Sequence, residues 1–148
     1  MERKIMPDIV KRQTISSLKP DNTAFEAATM MATANIGAIV VVDKKGLLSG
    51  IVTERDMTRR VVGKGLDPKK TKIADVMTSN PDTLAPDDSA GDALELMQSR
   101  QYRHLPVVDD GKCVGIVSLR DLFAAAKSSL EENIRETEAF VFGDRYGA

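Results

Sequence analysis

One seven-residue pattern occurs twice in the sequence, as GIVTERD at residues 50–56 and as GIVSLRD at residues 115–121. The similarity continues upstream, where residues 18–43 align without a gap with residues 84–109 at an offset of 66. The offset falls to 65 at the heptapeptides, because the turn DKKG is one residue longer than its counterpart DDG. An ordered repeat of this length predicts two copies of one structural unit that bury a core by packing together.

Each copy is predicted to follow the order β-α-β-β-α. A short strand ends at Lys-Pro or Ala-Pro and precedes a helix with small apolar residues at helical spacing. The helix starts carry a hydroxyl residue followed three positions later by an acid, the capping-box pattern, as Thr23 with Glu26 and Ser89 with Asp92. A hairpin follows, and a second helix begins inside each heptapeptide, spanning about residues 54–62 and 119–140.

The repeat therefore predicts an α+β fold of two units packed sheet to sheet about a pseudo-twofold axis, with two related clefts along the seam. Gly, Pro and four lysines predict a mobile linker loop at residues 63–72. The single module 1–148 is divided into the following segments: unit 1 at 5–63, unit 2 at 73–127, and a C-terminal helix and tail at 128–148.

Composition excludes several classes of protein. Hydrophobic residues make up 42% and charged residues 29% of the chain, and the net charge of -1 gives no global attraction to nucleic acid or to an anionic membrane. The single cysteine, Cys113, allows no internal disulfide, which suits a reducing compartment. The first residues lack the apolar core of a signal peptide, and no apolar run approaches about 20 residues. We expect a soluble, cytoplasmic protein.

No catalytic constellation is recognisable. One histidine and one cysteine give no metal-binding set, and the sequence has neither a Gly-rich phosphate loop nor a nucleophile-elbow motif. We expect a protein that is not an enzyme and requires no cofactor. The lysines of the linker leave open the alternative that the protein is an adaptor that binds protein or nucleic acid. A solvated loop is the favoured explanation of these lysines.

The repeated motifs resemble those of a tandem pair of CBS domains (cystathionine-β-synthase domains, or a Bateman module). The matching stretches, over about residues 5–127, are the two heptapeptides, NIGAIVVVD, YRHLPVVD and IADVMTSNP. The resemblance implies a regulatory module that binds an adenosine ligand such as AMP, ADP, ATP, NAD or S-adenosylmethionine between its units. It also implies a disk-like homodimer, here a stand-alone pair acting on an unknown target protein.

Each heptapeptide supplies a hydroxyl, an arginine and an aspartate, and these are candidate ligand-binding residues: Thr53, Arg55 and Asp56, with Ser118, Arg120 and Asp121. A guanidinium suits phosphate oxygens, and a helix start favours an anion. Aspartate is a poor partner for phosphate but a good acceptor for ribose hydroxyls. The alternative is purely structural, because [ST]-x-x-[DE] is itself a capping box.

The strand that begins each hairpin is expected to face the heptapeptide of the other unit. The resemblance places Arg103 and His104 beside the aspartate of the first unit, and Gly37 and Ala38 beside that of the second. The first cleft is then the richer in cations and the better site for a phosphorylated ligand. A structural hydrogen bond at a strand start is the alternative role for His104.

The first strand of each unit is expected to form the walls of the adenine slot. These strands, at residues 14–18 and 82–84, supply the candidates Ser17, Asp82 and Thr83, with Met77 nearby. Tyr102 is assigned either to a site or to packing. The apolar cluster Phe140-Val141-Phe142 in the tail predicts that the tail packs on a partner subunit or folds back on its own chain.

Overall fold

The computed structural model describes residues 3–145, with side chains as far as residue 141. The first unit is a four-stranded sheet of order β1-β2-β3-β4, in which β1 is parallel to β2 and the other pairs are antiparallel. Its strands are β1 Ser17–Leu18, β2 Ala38–Val42 and β3 Leu48–Thr53, and the start of the second unit contributes β4 Thr78–Ser79. Its helices are α1 Ala24–Ala34 and α2 Glu54–Asp56, and α2 continues through a π turn, Met57–Val61, and a 3-10 turn, Val62–Lys64.

The second unit repeats this arrangement around an antiparallel pair of strands. Its elements are α3 Ala90–Arg100, β5 His104–Asp109, β6 Lys112–Ser118 and α4 Leu119–Arg145. The predicted first strand is reduced to one parallel bridge between Leu84 and Val107, which matches the pairing of Leu18 with Val41 in the first unit. The α+β fold predicted from the repeat is confirmed, and α4 extends beyond its expected end.

The helices begin where the hydroxyl residues predict. The side chain of Thr23 accepts a hydrogen bond from the backbone N–H of Glu26 at 3.1 Å, and that of Ser89 accepts from Asp92 at 3.0 Å. These bonds satisfy N–H groups that a helix start leaves without partners. Each helix then buries its small apolar face against the sheet, as the following residues show: Ala24, Ala27 and Met31 in α1, and Ala90, Ala93 and Met97 in α3.

The segment ahead of each unit packs into the core of the other unit. Ile5 is fully buried among residues of the second unit, and its backbone N–H donates to the carbonyl of Asp88 at 2.8 Å. Ile73 is fully buried in the first unit, and its N–H donates to the carbonyl of Asn22 at 2.8 Å. The two units therefore exchange their leading segments, which the repeat alone did not indicate.

The exchanged segments pack against the glycine that opens each heptapeptide. A Cβ on Gly50 would lie 2.5 Å from Sδ of Met77 and 3.0 Å from the carbonyl oxygen of Thr78. A Cβ on Gly115 would lie 2.7 Å from Cε of Met6. At Gly50 a side chain would press on the backbone of β4, whereas at Gly115 it would meet the flexible end of Met6, which can move aside.

Hydrogen bonds fix the linker between the units, residues 63–72, to the body of the protein. The N–H of Phe25 donates to the carbonyl of Pro68 at 3.0 Å, and the N–H of Ala24 donates to that of Thr71 at 2.8 Å. These contacts fix the linker against the start of α1, which differs from the mobile loop predicted from composition. Within residues 3–145, no helix is both long and apolar enough to cross a membrane.

We predict that Ile5→Ala destabilises the second unit although residue 5 lies at the start of the first. Removing a fully buried isoleucine side chain leaves a cavity and costs about 2–5 kcal/mol of unfolding free energy. Urea denaturation measures the loss, and hydrogen exchange should locate it in residues 84–122.

Val62→Ala is the matched control, because Val62 is 73% exposed and its truncation should change stability by less than about 0.5 kcal/mol. Faster exchange confined to residues 24–61 of the Ile5→Ala variant would contradict the exchange of segments.

Candidate functional site

Two cavities lie along the seam between the units. The first has a volume of about 350 Å³ and is lined by Thr53, Arg55 and Asp56 of one unit together with Arg103 and His104 of the other. The second has a volume of about 750 Å³, and its lining includes the following predicted residues: Ser118, Arg120, Asp121, Gly37 and Ala38. Each cavity thus combines one heptapeptide with the strand start of the opposite unit.

The first heptapeptide forms a complete capping box at the wall of its cavity. The backbone N–H and the Oγ1 hydroxyl of Thr53 both donate to Oδ2 of Asp56, at 2.9 and 3.1 Å. The N–H of Asp56 donates back to Oγ1 of Thr53 at 3.2 Å. The remaining oxygen, Oδ1, lies 3.6 Å from Nε of Arg60.

The second heptapeptide repeats this geometry. The N–H of Ser118 donates to Oδ2 of Asp121 at 2.9 Å, and the N–H of Asp121 donates to Oγ of Ser118 at 3.1 Å. In both units the capping pair uses Oδ2 and leaves Oδ1 outside it. Because both aspartates line cavities, helix capping and ligand contact are compatible at the same side chain.

Backbone hydrogen bonds fix each heptapeptide to the start of its own hairpin. The N–H of Glu54 donates to the carbonyl of Gly37 at 3.0 Å, and the N–H of Leu119 donates to that of Arg103 at 2.8 Å. These are equivalent bonds in the two units. They bring the starts of α2 and α4 to the seam, where Gly37 and Arg103 lie.

Four residues form a wall common to both cavities: Gly37, Glu54, Arg103 and His104. A Cβ on Gly37 would lie 3.3 Å from Cε1 and Nε2 of His104 and 3.5 Å from Oε2 of Glu54. The missing side chain at Gly37 therefore makes room for the imidazole. Sequence reasoning missed Glu54, which occupies a variable position of the heptapeptide.

Burial lowers the pKa of His104 below its ordinary value of 6.5. The carboxylates of Glu54 and Asp121 act in the opposite direction, and the guanidinium of Arg103 lowers the pKa further. Desolvation penalises the charged imidazolium and is the largest of these effects. His104 is therefore biased toward its neutral form at the centre of the seam.

The two cavities differ in charge. Four arginines and three carboxylates line the first, namely Arg55, Arg60, Arg100 and Arg103 with Glu54, Asp56 and Asp82. Two arginines and two carboxylates line the second, namely Arg103 and Arg120 with Glu54 and Asp121. The first cavity has the excess of cations that the sequence predicted for it.

Some of these arginines are already engaged in the structure. Nη1 of Arg60 donates to the carbonyls of Val76 and Met77 at 3.1 and 3.2 Å, and Nη1 of Arg100 lies 3.7 Å from Oδ2 of Asp82. Among the described side chains, Arg55 and Arg103 make no ion pair within 4.0 Å. The spacing of Arg60, four residues after Asp56, was a signal that sequence reasoning did not use.

Three predicted residues lie outside both cavities. Ser17 pairs with Val40 inside the sheet, and the preceding residues 14–16 line the second cavity instead. Met77 is turned toward the first core and packs at Gly50, and Thr83 is exposed. Of the other predicted wall residues, Asp82 and Tyr102 line the first cavity.

No group of three or more His, Cys, Asp and Glu side chains in the described part of the chain is arranged to hold a metal ion. Cys113 is half-buried in β6, where its Sγ lies 3.1 Å from the carbonyl of Gly115. Burial raises the pKa of this thiol.

Comparison with known proteins gives a consistent result. A family model described as "CBS domain" matches residues 5–63 and 73–128. The chain is 40% identical over 108 residues to the CBS domain-containing protein YhcV of Bacillus subtilis, a match that covers 73% of this chain and 76% of YhcV. It is 34% identical over 123 residues, 83% of its length, to CBSCBSPB2 of Arabidopsis thaliana, but it spans only 23% of that protein.

Solved structures share the fold. A signal-transduction protein with CBS domains from Burkholderia ambifaria, described as putative, superposes with a TM-score of 0.72 at 36% identity, covering 76% of this chain and 82% of that one. CBSX2, solved in complex with AMP, superposes with a TM-score of 0.68 at 24% identity, covering 79% of this chain and 91% of that one.

We predict that the pKa of His104 lies below 6.5 and that folding stability falls as the pH drops through this value. The unfolded chain takes up the proton first, so the contribution of neutral His104 is complete above about pH 6.5 and is lost on acidification toward the lower folded pKa. Because the chain contains one histidine, an NMR titration of the imidazole reports on this residue alone.

Glu54→Gln should lower the pKa of His104 further, since it removes a charge that favours the imidazolium. Glu26→Gln, remote from the cavities on the exposed face of α1, is the control and should leave the titration unchanged. A folded-state pKa at or above 6.5 would contradict the burial argument.

Proposed function

The chain belongs to the CBS-domain family as a tandem pair of CBS domains, and on that premise we propose that it binds an adenosine nucleotide between its units as a regulatory, non-catalytic module. One observation carries the proposal: each cavity combines the hydroxyl, arginine and aspartate of one heptapeptide with the strand start of the other unit. A ligand bound there contacts both units at once. Its binding can therefore alter how the units fit together.

The first cavity suits the phosphorylated end of such a ligand. Arg55 and Arg103 approach it from opposite units, and a guanidinium pairs well with phosphate oxygens. The carboxylate of Asp56 would repel phosphate, but its Oδ1 can accept hydrogen bonds from a ribose diol while Oδ2 closes the helix. The Oγ1 hydroxyl of Thr53 lies 3.1 Å from Oδ2 of Asp56 at the same wall.

Apolar side chains provide a place for the base. Ile51, Pro81 and Leu105 line the first cavity, and Ile15 and Ile116 line the second. Volumes of about 350 and 750 Å³ fall within the range of about 300–1,000 Å³ typical of small-molecule sites. A planar purine between aliphatic side chains gains hydrophobic stabilisation without aromatic stacking.

AMP is the first ligand to test, because CBSX2 was solved with AMP, although 24% identity supports a shared fold and not a shared ligand. ADP, ATP, NAD and S-adenosylmethionine are the next candidates. We also propose a homodimer, in a family whose members include a hexameric CBS-CP12 protein. A cytoplasmic location and an unidentified target protein complete the proposal; one relative, CBSX3, is named as mitochondrial.

We predict that Asp56→Asn and Asp121→Asn each weaken nucleotide binding at their own cavity. Asparagine retains an oxygen for the capping bond but loses the charge that strengthens hydrogen bonds to ribose, a loss of about 1.5–3 kcal/mol, or roughly 10- to 150-fold in affinity. Isothermal titration calorimetry with AMP and ATP measures the effect.

Asp92→Asn is the matched control, since it makes the same change at the start of α3, away from the cavities, and should leave affinity unchanged. Wild-type protein should gain about 2.7 kcal/mol of stability at one hundred times the dissociation constant. A melting temperature that stays unchanged with every adenosine ligand would contradict the proposal. Binding of nucleic acid that weakens steeply with salt and survives both cavity substitutions would favour the adaptor alternative.

A further inference from the structure

Helix α4 presents an exposed apolar stripe along most of its length. Phe123, Leu130, Ile134 and Val141 are 52%, 62%, 55% and 48% exposed. Because 18 residues make five full turns of an α-helix, these four side chains lie within about 20° of one line along the helix. The match to the family model ends at residue 128, so most of this stripe lies outside the matched units.

The stripe faces away from the body of its own chain. Leu122 is fully buried and marks the side of α4 that packs on the rest of the protein, about 100° around the helix from the stripe, and Nη2 of Arg3 lies 3.4 Å from Oε2 of Glu132. Glu132 follows Phe123 by nine residues, which places it about 180° around the helix from the stripe. Residues 130–141 are all exposed. A fold-back of this stripe onto its own chain would require α4 to rotate or bend.

We propose that the α4 stripe is the docking surface for α4 of a second copy of the chain, with the two helices antiparallel. This inference specifies the homodimer proposed above and is independent of nucleotide binding. In the antiparallel register, Phe123 packs against the partner subunit's Val141, and Leu130 packs against the partner subunit's Ile134. Twofold symmetry repeats both contacts, so every stripe residue gains an apolar neighbour.

Charge favours the antiparallel orientation. Lys127 lies about 40° from the stripe, between Phe123 and Leu130, whereas residues 131–138 contain four glutamates and one arginine. Antiparallel packing brings Lys127 level with the partner's Glu138. Parallel packing would instead leave Lys127 and the partner's Glu138 about 16 Å apart along the axis, which removes this attraction.

Side-chain size favours the same register. Phe140 is 71% exposed and lies beside the stripe, on the same side as Ala126. Antiparallel packing places Phe140 near the partner's Ala126, where the methyl side chain leaves room for the ring. In a parallel pair Phe140 and the partner's Ala126 would lie about 21 Å apart along the axis and could not pack together.

Disulfide cross-linking in the full-length chain tests the geometry. Cys113→Ala provides a background without native thiols. Phe123→Cys and Val141→Cys are then introduced into two separate preparations, which carry tags of different size. Oxidation of the mixture should give the mixed dimer, because these positions are neighbours in the antiparallel pair. In a parallel pair they would be about 27 Å apart, and Phe123→Cys would link to itself.

Ala139→Cys is the matched control, because residue 139 lies about 160° around the helix from Phe123 and should not link to Phe123→Cys. Sedimentation analysis adds a second readout. Ile134→Glu should weaken the dimer at least about tenfold, since it places a charge in an apolar contact, whereas Ala139→Glu should change it by less than about twofold.

Three outcomes would overturn the proposal: a preferential Phe123→Cys homodimer, the absence of the mixed disulfide, or a wild-type chain that stays monomeric at every concentration tested. Such a monomer would leave a fold-back or a different protein as the occupant of the stripe. AMP titration of Ile134→Glu separates this inference from the nucleotide proposal. Unchanged affinity in a monomeric variant supports the docking surface, and a mixed disulfide in a protein that binds no nucleotide leaves it intact.

Discussion

Neither half of this chain can complete its hydrophobic core alone, and the rest of the structure depends on that constraint. Ile5 fills a position in the second unit, and Ile73 fills the equivalent position in the first. The two units are therefore held together by buried apolar side chains in both directions, not only by contact of their surfaces. The seam, and the cavities along it, take their shape from this mutual dependence.

Much of the fold could be predicted because the same structural pattern occurs twice in the sequence. The capping residues Thr23 and Ser89, the alanine faces of the two helices and the hairpin turns follow local rules of helix and turn formation, so one copy corroborates the other. The exchange of leading segments was not predictable, because no local pattern shows which core receives Ile5. Only the three-dimensional packing against residues such as Leu122 decides it.

The candidate site was predictable in part for the same reason. The two heptapeptides and the opposing strand starts meet at the cavities, but Glu54, Arg60 and Arg100 were missed. The spacing of Arg60 from Asp56 could have revealed it, whereas the position of Arg100 depends on how α3 reaches the seam, which sequence spacing does not give. Met77 was predicted to lie near the adenine slot, whereas in the structure it packs against a glycine of β3. The sharing of one carboxylate between capping and cavity also required coordinates.

The exchanged segments have a consequence for the history of the molecule. A single ancestral unit would have lacked the same core side chain and carried it on its own leading segment. Two such units could have completed each other's cores as a domain-swapped dimer. Joining two of these copies end to end would give the present connectivity without any new contact. The two sides are unequal at corresponding positions such as 37 and 103, where glycine in the first unit stands opposite arginine in the second.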